Sequence, residues 1–273
     1  MVSFPNAKIN IGLNILNKRD DGFHNLETIF YPVGITDVLE FIEQTPAIKT
    51  NQIFSGTGLT VGTTPDDNLC VKSYYLLKSD FKIPPVFIHL HKKIPPGSGL
   101  GGGSADAAFM IRSLNQHFKL NLSREQMMEY ASQLGSDCSF FIINQPVFAT
   151  GKGEQMKQIP LNLKGKFLVL VKPDIQISTT EAYKDIKPAV PEKSLKELIT
   201  LPLHQWKNNI KNDFEQPVFI KYPLIAQIKD ELYENGAVYA SLSGSGSAVY
   251  GIFDFQVSLK EKFPNCFVWE GYF

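Results

Sequence analysis

A chain of 273 residues can bury a sizeable core, enough for one large domain or two of ordinary size. Hydrophobic residues make up 43% and charged residues 20%, which excludes a disordered or fibrous chain and reads as a soluble globular protein. The 27 basic residues balance the 27 acidic ones, so the basic surplus usual in a nucleic-acid binder is missing.

Apolar and polar residues alternate through residues 1–17 around Ile9, Ile11, Leu13 and Ile15, which predicts a strand. Asn17 to Gly22 predicts a turn, with Asp21-Gly22 suited to a hairpin. Return strands are predicted at Thr28–Tyr31 and Val38–Ile42. Asn68 is placed to cap a helix carrying Leu69, Val71, Tyr75 and Leu76. A strand at 86–91 leads into a glycine-rich loop, then a helix whose Ala107, Ile111, Leu114 and Phe118 form one stripe. Ser123 and Gln126 make a capping box for a helix through Leu134.

Gly151-Lys152-Gly153 interrupts this pattern, and the next strand, Phe167–Val171, is ended by Pro173. Residues 187–193 read as a loop, followed by helices near 193–200, 212–221 and 223–235. Strands at Val238–Leu242 and Val249–Phe253 flank the small-residue loop Ser243–Ser247. A domain boundary is placed within 152–164. Cys70, Cys138 and Cys266 are scattered, which argues against disulfides or structural zinc and fits a reducing cytoplasm. Neither a signal peptide nor a run of about 18 apolar residues is recognisable, so no membrane association is expected.

The stretch Lys92–Ala108 is the most informative. Gly97, Gly99, Gly101, Gly102 and Gly103 crowd together just before Ser104 and a helix-forming run. Lacking a Cβ, these residues can take positive φ and let backbone N–H groups close on a ligand. Ser104 or Asp106 is expected in the cap and first turn of the helix behind them. A helix start offers unpaired donors and a positive dipole end, both of which favour phosphate. A merely flexible loop would carry more Asn, Lys or Glu and lack the amphipathic helix. Gly97, Gly99 and Gly102 also fit G-x-G-x-x-G, but the acid that a dinucleotide fold needs about 20 positions on would be Glu125, inside a predicted helix. P-loop and protein-kinase signatures are absent from the sequence. The loop therefore reads as a polyphosphate cradle.

Pro96 to Ala108 resembles the phosphate-binding motif of the GHMP small-molecule kinases, which hold ATP without a P-loop. Ala7-Lys8-Ile9-Asn10 and Leu242–Ala248 resemble that family's other two motifs, in the same order. Asp21-Gly22-Phe23-His24 and Leu134-Gly135-Ser136-Asp137 before Phe140-Phe141 resemble one branch of it. The usual pattern has tyrosine at position 23 and a second serine at 105, where this chain has Phe23 and Ala105.

The resemblance implies an α+β, two-domain GHMP kinase fold. Its N-terminal domain, residues 1–155, would be a ribosomal-protein-like β-α-β domain with a left-handed connection, carrying the ATP-phosphate loop and the catalytic residues. Its C-terminal domain, residues 156–273, would be an α/β sandwich supplying substrate-side contacts, with the active site in the cleft between the domains. The implied partners are ATP, Mg2+ on ligands the sequence does not reveal, and a cytidylylated methylerythritol. No nucleic acid or membrane is implied, and oligomeric state stays open.

Site residues follow from the same resemblance. Lys8 and Asp137 are implied as catalytic. Alone, Lys8 would be a solvated strand-end lysine and Asp137 a helix cap. Paired, Asp137 would orient the substrate hydroxyl and accept its proton, while Lys8 keeps the carboxylate ionised. Nucleotide contacts are implied at Asn68, Lys92, Pro96, Gly97, Ser98, Gly99, Leu100, Gly101, Gly102, Gly103 and Ser104. Substrate contacts are implied at Asn10, Phe23, His24, Thr179 and Tyr183, where aromatic rings would clamp a pyrimidine and His24 bond its edge. The rival readings are a mevalonate- or homoserine-type alcohol kinase, a non-catalytic nucleotide sensor and an RNA-binding module. The sensor should lack Lys8 or Asp137, and zero net charge opposes the RNA module.

Overall fold

The computed structural model describes residues 1–45, 53–60, 62 and 64–273. In chain order its strands are β1 (Val2–Ser3), β2 (Asn6–Lys18), β3 (His24–Thr36), β4 (Val38–Glu43), β5 (Phe54–Gly58), β6 (Val86–Lys92), β7 (Val147–Thr150), β8 (Gln155–Gln158), β9 (Phe167–Pro173), β10 (Tyr239–Leu242), β11 (Val249–Phe253) and β12 (Cys266–Tyr272). The helices are α1 (Leu69–Asp80), α2 (Gly102–Phe118), α3 (Arg124–Leu134), α4 (Cys138–Ile143), α5 (Thr179–Tyr183), α6 (Leu195–Leu198), α7 (Trp206–Asn209), α8 (Glu215–Lys221) and α9 (Pro223–Glu234). Contacts divide the chain into two compact units that interleave in sequence. The first is Met1–Ala7, Ile35–Pro96 and Gly101–Gln145; the second is Lys8–Gly34, Gly97–Leu100 and Pro146–Phe273.

In the first unit a sheet runs in the order β1-β4-β6-β5. Strand β5 pairs with β6 in parallel, from Phe54 opposite Ile88 to Gly58 opposite Lys92, and α1 lies between them in sequence, giving a β-α-β unit. Strand β6 alternates strictly: Val86, Ile88, Leu90 and Lys92 are buried, and the residues between them are half-buried. Lys92 thus stands on the apolar face, where a hydrophobic side chain would be expected.

Asn68 caps α1 as anticipated, its side chain accepting from the Cys70 N–H at 2.9 Å. The buried face of α1 is not the set of apolar residues that its sequence offers. Cys70, Val71, Ser73, Tyr74 and Leu77 turn inward, while Tyr75 is 52% exposed. Small residues decide the phase: Ser73 lies close enough to α2 for its hydroxyl to donate to the Ala107 carbonyl at 3.2 Å. Helix α2 buries Ala107, Ile111 and Leu114 against α1, α3 and α4. The Ser123–Gln126 capping box forms in full at the start of α3.

In the second unit β2, β3, β7 and β8 form one sheet, and the turn between β2 and β3 places Gly22 at a φ of +83°. The other sheet, ordered β10-β11-β9-β12, is antiparallel throughout, with β9 fully buried at its centre. Val169 and Val171 share a core with Leu242, Val249 and the Ile225, Ile228 and Leu232 face of α9. Strands β5, β7, β8 and β12 were not predicted. The first, Phe-Ser-Gly-Thr-Gly, has no apolar alternation, and its pairing with β6 supplies what its sequence lacks. Among the described residues, no helix is long and apolar enough to cross a membrane.

Buried Glu27 fastens α6 within this unit. Its carboxylate accepts from the Leu195 N–H at 2.9 Å, the Ser194 hydroxyl at 2.7 Å and the Asn14 amide at 2.9 Å. Leu195 then closes over Gly12, where a Cβ would lie 2.6 Å from the Leu195 side chain and 2.8 Å from Ile210. With φ also at +69°, Gly12→Ala is expected to cost about 1–3 kcal/mol in equilibrium urea unfolding. An unchanged midpoint would contradict this packing.

Candidate active site

Helix α2 begins behind Gly101, whose φ of +73° lies in the left-handed region, and no side chain caps it. Ser104 is the third residue of the helix and so lies in its first turn as expected, whereas Asp106 lies further along and its carboxyl turns into the interior. The reason is space. A Cβ at Gly102 would sit 2.8 Å from Ile94 and 3.1 Å from the Lys92 ammonium, so glycine allows the helix start to pass tightly over the end of β6. The N–H groups of its first turn have no acceptor within the helix and no capping side chain, the arrangement that holds an anion.

Asn68 and Lys92 meet in one cleft of about 220 Å³, which Phe54, Thr57, Gly58 and Leu90 also line. The Lys92 ammonium is not available to a ligand there, because it is paired with Asp37 and, at 2.7 Å, with Asp106. Burial alone would lower the Lys92 pKa, yet Asp106 and Asp37 outweigh it and hold it above the ordinary lysine value. Asn68 likewise commits its Oδ1 to the helix cap.

Asp137 follows Gly135-Ser136 at the N-cap position of α4, half-buried, but its side chain makes no cap hydrogen bond. Burial pushes the neighbouring Cys138 thiol up to about 11, with the Ser104 hydroxyl opposing, so the thiol stays protonated at neutral pH.

In the second unit Lys8, only 3% exposed, stands on β2. Its ammonium donates to Asn10 Oδ1 at 2.6 Å and to the Gly99 carbonyl at 2.9 Å, and lies 5.1 Å from the Phe30 ring centroid. The Lys8 backbone N–H donates to the Leu100 carbonyl at 3.0 Å. Asn10, read from sequence as a substrate contact, spends both ends of its amide internally, on Lys8 and, at 2.9 Å, on Thr28. Gly97 and Gly99 both take left-handed φ, +62° and +79°. Ser98 and Leu100 are buried, whereas Pro96 and Gly97 are exposed.

The Ser243–Ser247 segment supports this half of the loop. The Ser243 hydroxyl donates to the Gly99 carbonyl at 3.0 Å, and the Ala248 N–H donates to the Ser98 carbonyl at 3.1 Å. Asn212, buried behind it, donates to the Leu242 and Gly244 carbonyls at 2.9 and 2.8 Å. Sequence reasoning missed Asp37, Thr28 and Asn212. A signal existed only for the first, since a lysine at the inward phase of β6 requires a buried acid.

At the expected substrate end, His24 and Tyr183 stack with centroids 4.8 Å apart and planes 17° from parallel. Tyr183 also packs edge-on against Phe214 at 4.9 Å. The two rings fill each other's faces, so a base cannot lie between them without one ring moving. Phe23 is 55% exposed, with the Lys152 ammonium 4.6 Å from its ring centroid. Thr179 opens α5 and is exposed. Burial, then the Lys18 charge, lowers the His24 pKa, which keeps the imidazole neutral near pH 7.

Residues 68–152 match the model of the GHMP kinases N terminal domain, and residues 187–264 that of the GHMP kinases C terminal. A 4-diphosphocytidyl-2-C-methyl-D-erythritol kinase of Parabacteroides distasonis is 50% identical over 273 residues, 99% of both chains. The chain belongs to the GHMP kinases. A Bacteroides thetaiotaomicron protein of the same name as the first is 52% identical over 261 residues, 96% of this chain and 95% of that one. A crystal structure of a 4-(cytidine 5'-diphospho)-2C-methyl-D-erythritol kinase, 26% identical, has a TM-score of 0.83 and covers 99% of this chain and 98% of its own. A mevalonate kinase structure at 12% identity and TM-score 0.71, covering 99% and 98%, shares the fold alone. GHMP kinases use ATP, and the start of α2 leaves its first backbone N–H groups without a capping side chain.

The loop glycines differ in what they tolerate. A Cβ at Gly99 would overlap the Ser243 carbonyl oxygen, whereas one at Gly97 meets nothing within 4 Å. Gly99→Ala is expected to weaken nucleotide binding about a hundredfold or more, and Gly97→Ala about tenfold or less, by calorimetric titration. Equal losses would contradict the pinning of this loop.

Proposed function

We propose that this chain transfers the γ-phosphoryl group of ATP to the 2-hydroxyl of 4-diphosphocytidyl-2-C-methyl-D-erythritol. The observation that carries this reading is 50% identity over 99% of both chains to a kinase of that name. In the reaction the substrate oxygen bonds to the γ-phosphorus as the bond to the bridging oxygen breaks, and ADP leaves. The hydroxyl proton passes to Asp137. A carboxylate is a weak base toward an alcohol, so positioning contributes more than proton abstraction, and the loose transition state lets the proton leave late. Lys8, oriented by Asn10, would supply positive charge to the developing charge of the reaction.

The nucleotide would take backbone N–H groups from Gly97 to Gly103 and the Ser104 hydroxyl for its phosphates, and the cleft by Asn68 and the Lys92 stem for its base. Magnesium bound with the nucleotide would neutralise charge on its phosphates. Among the described residues no three His, Cys, Asp or Glu are grouped to hold a metal, so phosphate oxygens and water would be its main ligands. Phe23, His24, Thr179 and Tyr183 would receive the cytidine diphosphate end, with neutral His24 bonding the base edge. The division into residues 1–155 for the phosphate loop and residues 156–273 for substrate-side contacts belongs to the same proposal.

Asp137→Asn and Lys8→Ala are each expected to lower kcat by about a hundredfold or more while ATP still binds, in a coupled ADP-release assay. Near-normal turnover by folded Asp137→Asn protein would end that assignment. His24→Ala should raise KM for the cytidylylated substrate about tenfold and leave KM for ATP nearly unchanged. Equal damage to both constants would make His24 a folding residue.

A further inference from the structure

The first unit buries two carboxyl groups beside one ammonium, and phosphoryl transfer uses none of them. Asp37 stands between β3 and β4, Lys92 ends β6, and Asp106 lies on α2. Asp37 Oδ1 accepts from the Lys93 N–H at 2.6 Å and the Ile94 N–H at 2.9 Å, and its Oδ2 accepts from the Lys92 ammonium. That ammonium also donates to Asp106 Oδ2 at 2.7 Å. The chain entering the glycine loop and the helix leaving it are therefore tied to one cluster.

One lysine cannot neutralise two buried carboxylates, and an unmatched interior charge is costly. Asp37 has three donors aimed at it, which engage both of its oxygens. Asp106 has the poorer place, for its Oδ1 is buried without a hydrogen-bond partner. The groups facing Asp106 are Lys92, Asp37 and the Cys70 thiol of α1, which burial foremost keeps protonated. Burial is also the largest cause raising the Asp106 carboxyl above its ordinary value, with Lys92 opposing.

We propose that Asp37, Lys92 and Asp106 form a positioning brace for both stems of the glycine loop, in which Asp106 serves as a neutral acid whose ionisation at alkaline pH loosens the loop. A carboxyl whose folded pKa is raised stabilises the fold fully below its unfolded value, and that contribution is lost as pH rises through the folded value. Asp106→Asn keeps the shape of the protonated acid and never ionises.

Thermal unfolding of the wild type and Asp106→Asn, from about pH 6 to about pH 9.5, tests the brace without reference to the kinase reading. The Tm difference, variant minus wild type, is expected to grow by about 4 °C in favour of the variant as pH rises. A variant less stable by a constant amount at every pH would overturn the proposal, because Asp106 would then be an ionised salt-bridge partner. A second arm rests on the kinase reading: wild-type affinity for ATP should weaken about tenfold across the alkaline limb and that of Asp106→Asn should not. A limb shared by both proteins would also overturn it. Wild-type protein that fails to bind ATP at any pH would sink the kinase reading and leave the stability arm to decide the brace. Asp37→Asn, if it folds, should lose about tenfold in ATP affinity at every pH, and wild-type affinity would overturn the role given to Asp37.

Discussion

The Gly99 carbonyl accepts from the Lys8 ammonium at 2.9 Å and from the Ser243 hydroxyl at 3.0 Å. That double acceptance requires the backbones of the two loops to come so close that no side chain fits at Gly99. A buried ammonium is costly unless its hydrogens are satisfied, and the carbonyl and the Asn10 amide serve that need. In the second unit, fixing the glycine loop and aiming the lysine are therefore one act. Asn212 holds the Ser243 loop from behind, so the chain of support runs from a buried amide to a carbonyl to a charged side chain.

The first unit solves a different problem with similar means. Its helix α2 starts without a cap, which leaves N–H groups exposed and would ordinarily destabilise the end of a helix. The packing of α2 on α1, α3 and α4 and the Asp37–Lys92–Asp106 cluster keep the helix in place regardless. A helix start that is locally unfavourable is thus maintained by interactions one or two turns away. Such an arrangement suits a site whose ligand must enter and leave, because the donors are preorganised without the protein itself occupying them.

Much of this was legible in the sequence. Alternation marked β2, apolar runs marked β6 and β9, the Asn68 and Ser123 caps marked α1 and α3, and the glycine run marked the start of α2. Three kinds of feature escaped. Strand β5 is visible only through its partner β6, since two glycines and small polar residues carry no pattern. The face of α1 depended on Ser73 letting α2 approach, a tertiary effect that an apolar stripe does not encode. Internal hydrogen-bond partners such as Asp37 with Lys92, Thr28 with Asn10 and Asn212 with Gly244 join residues 18 to 55 positions apart, beyond the reach of local periodicity. The resemblance named Lys8 as catalytic and Asn10 as a substrate contact, and their hydrogen bond shows Asn10 serving the lysine.

The most direct measurement is a crystal structure of the protein with a non-hydrolysable ATP analogue. The account predicts the β and γ phosphates on the backbone N–H groups of the glycine loop and the first turn of α2, with the base in the cleft beside Asn68. A triphosphate bound away from that loop, with the start of α2 facing only water, would contradict it.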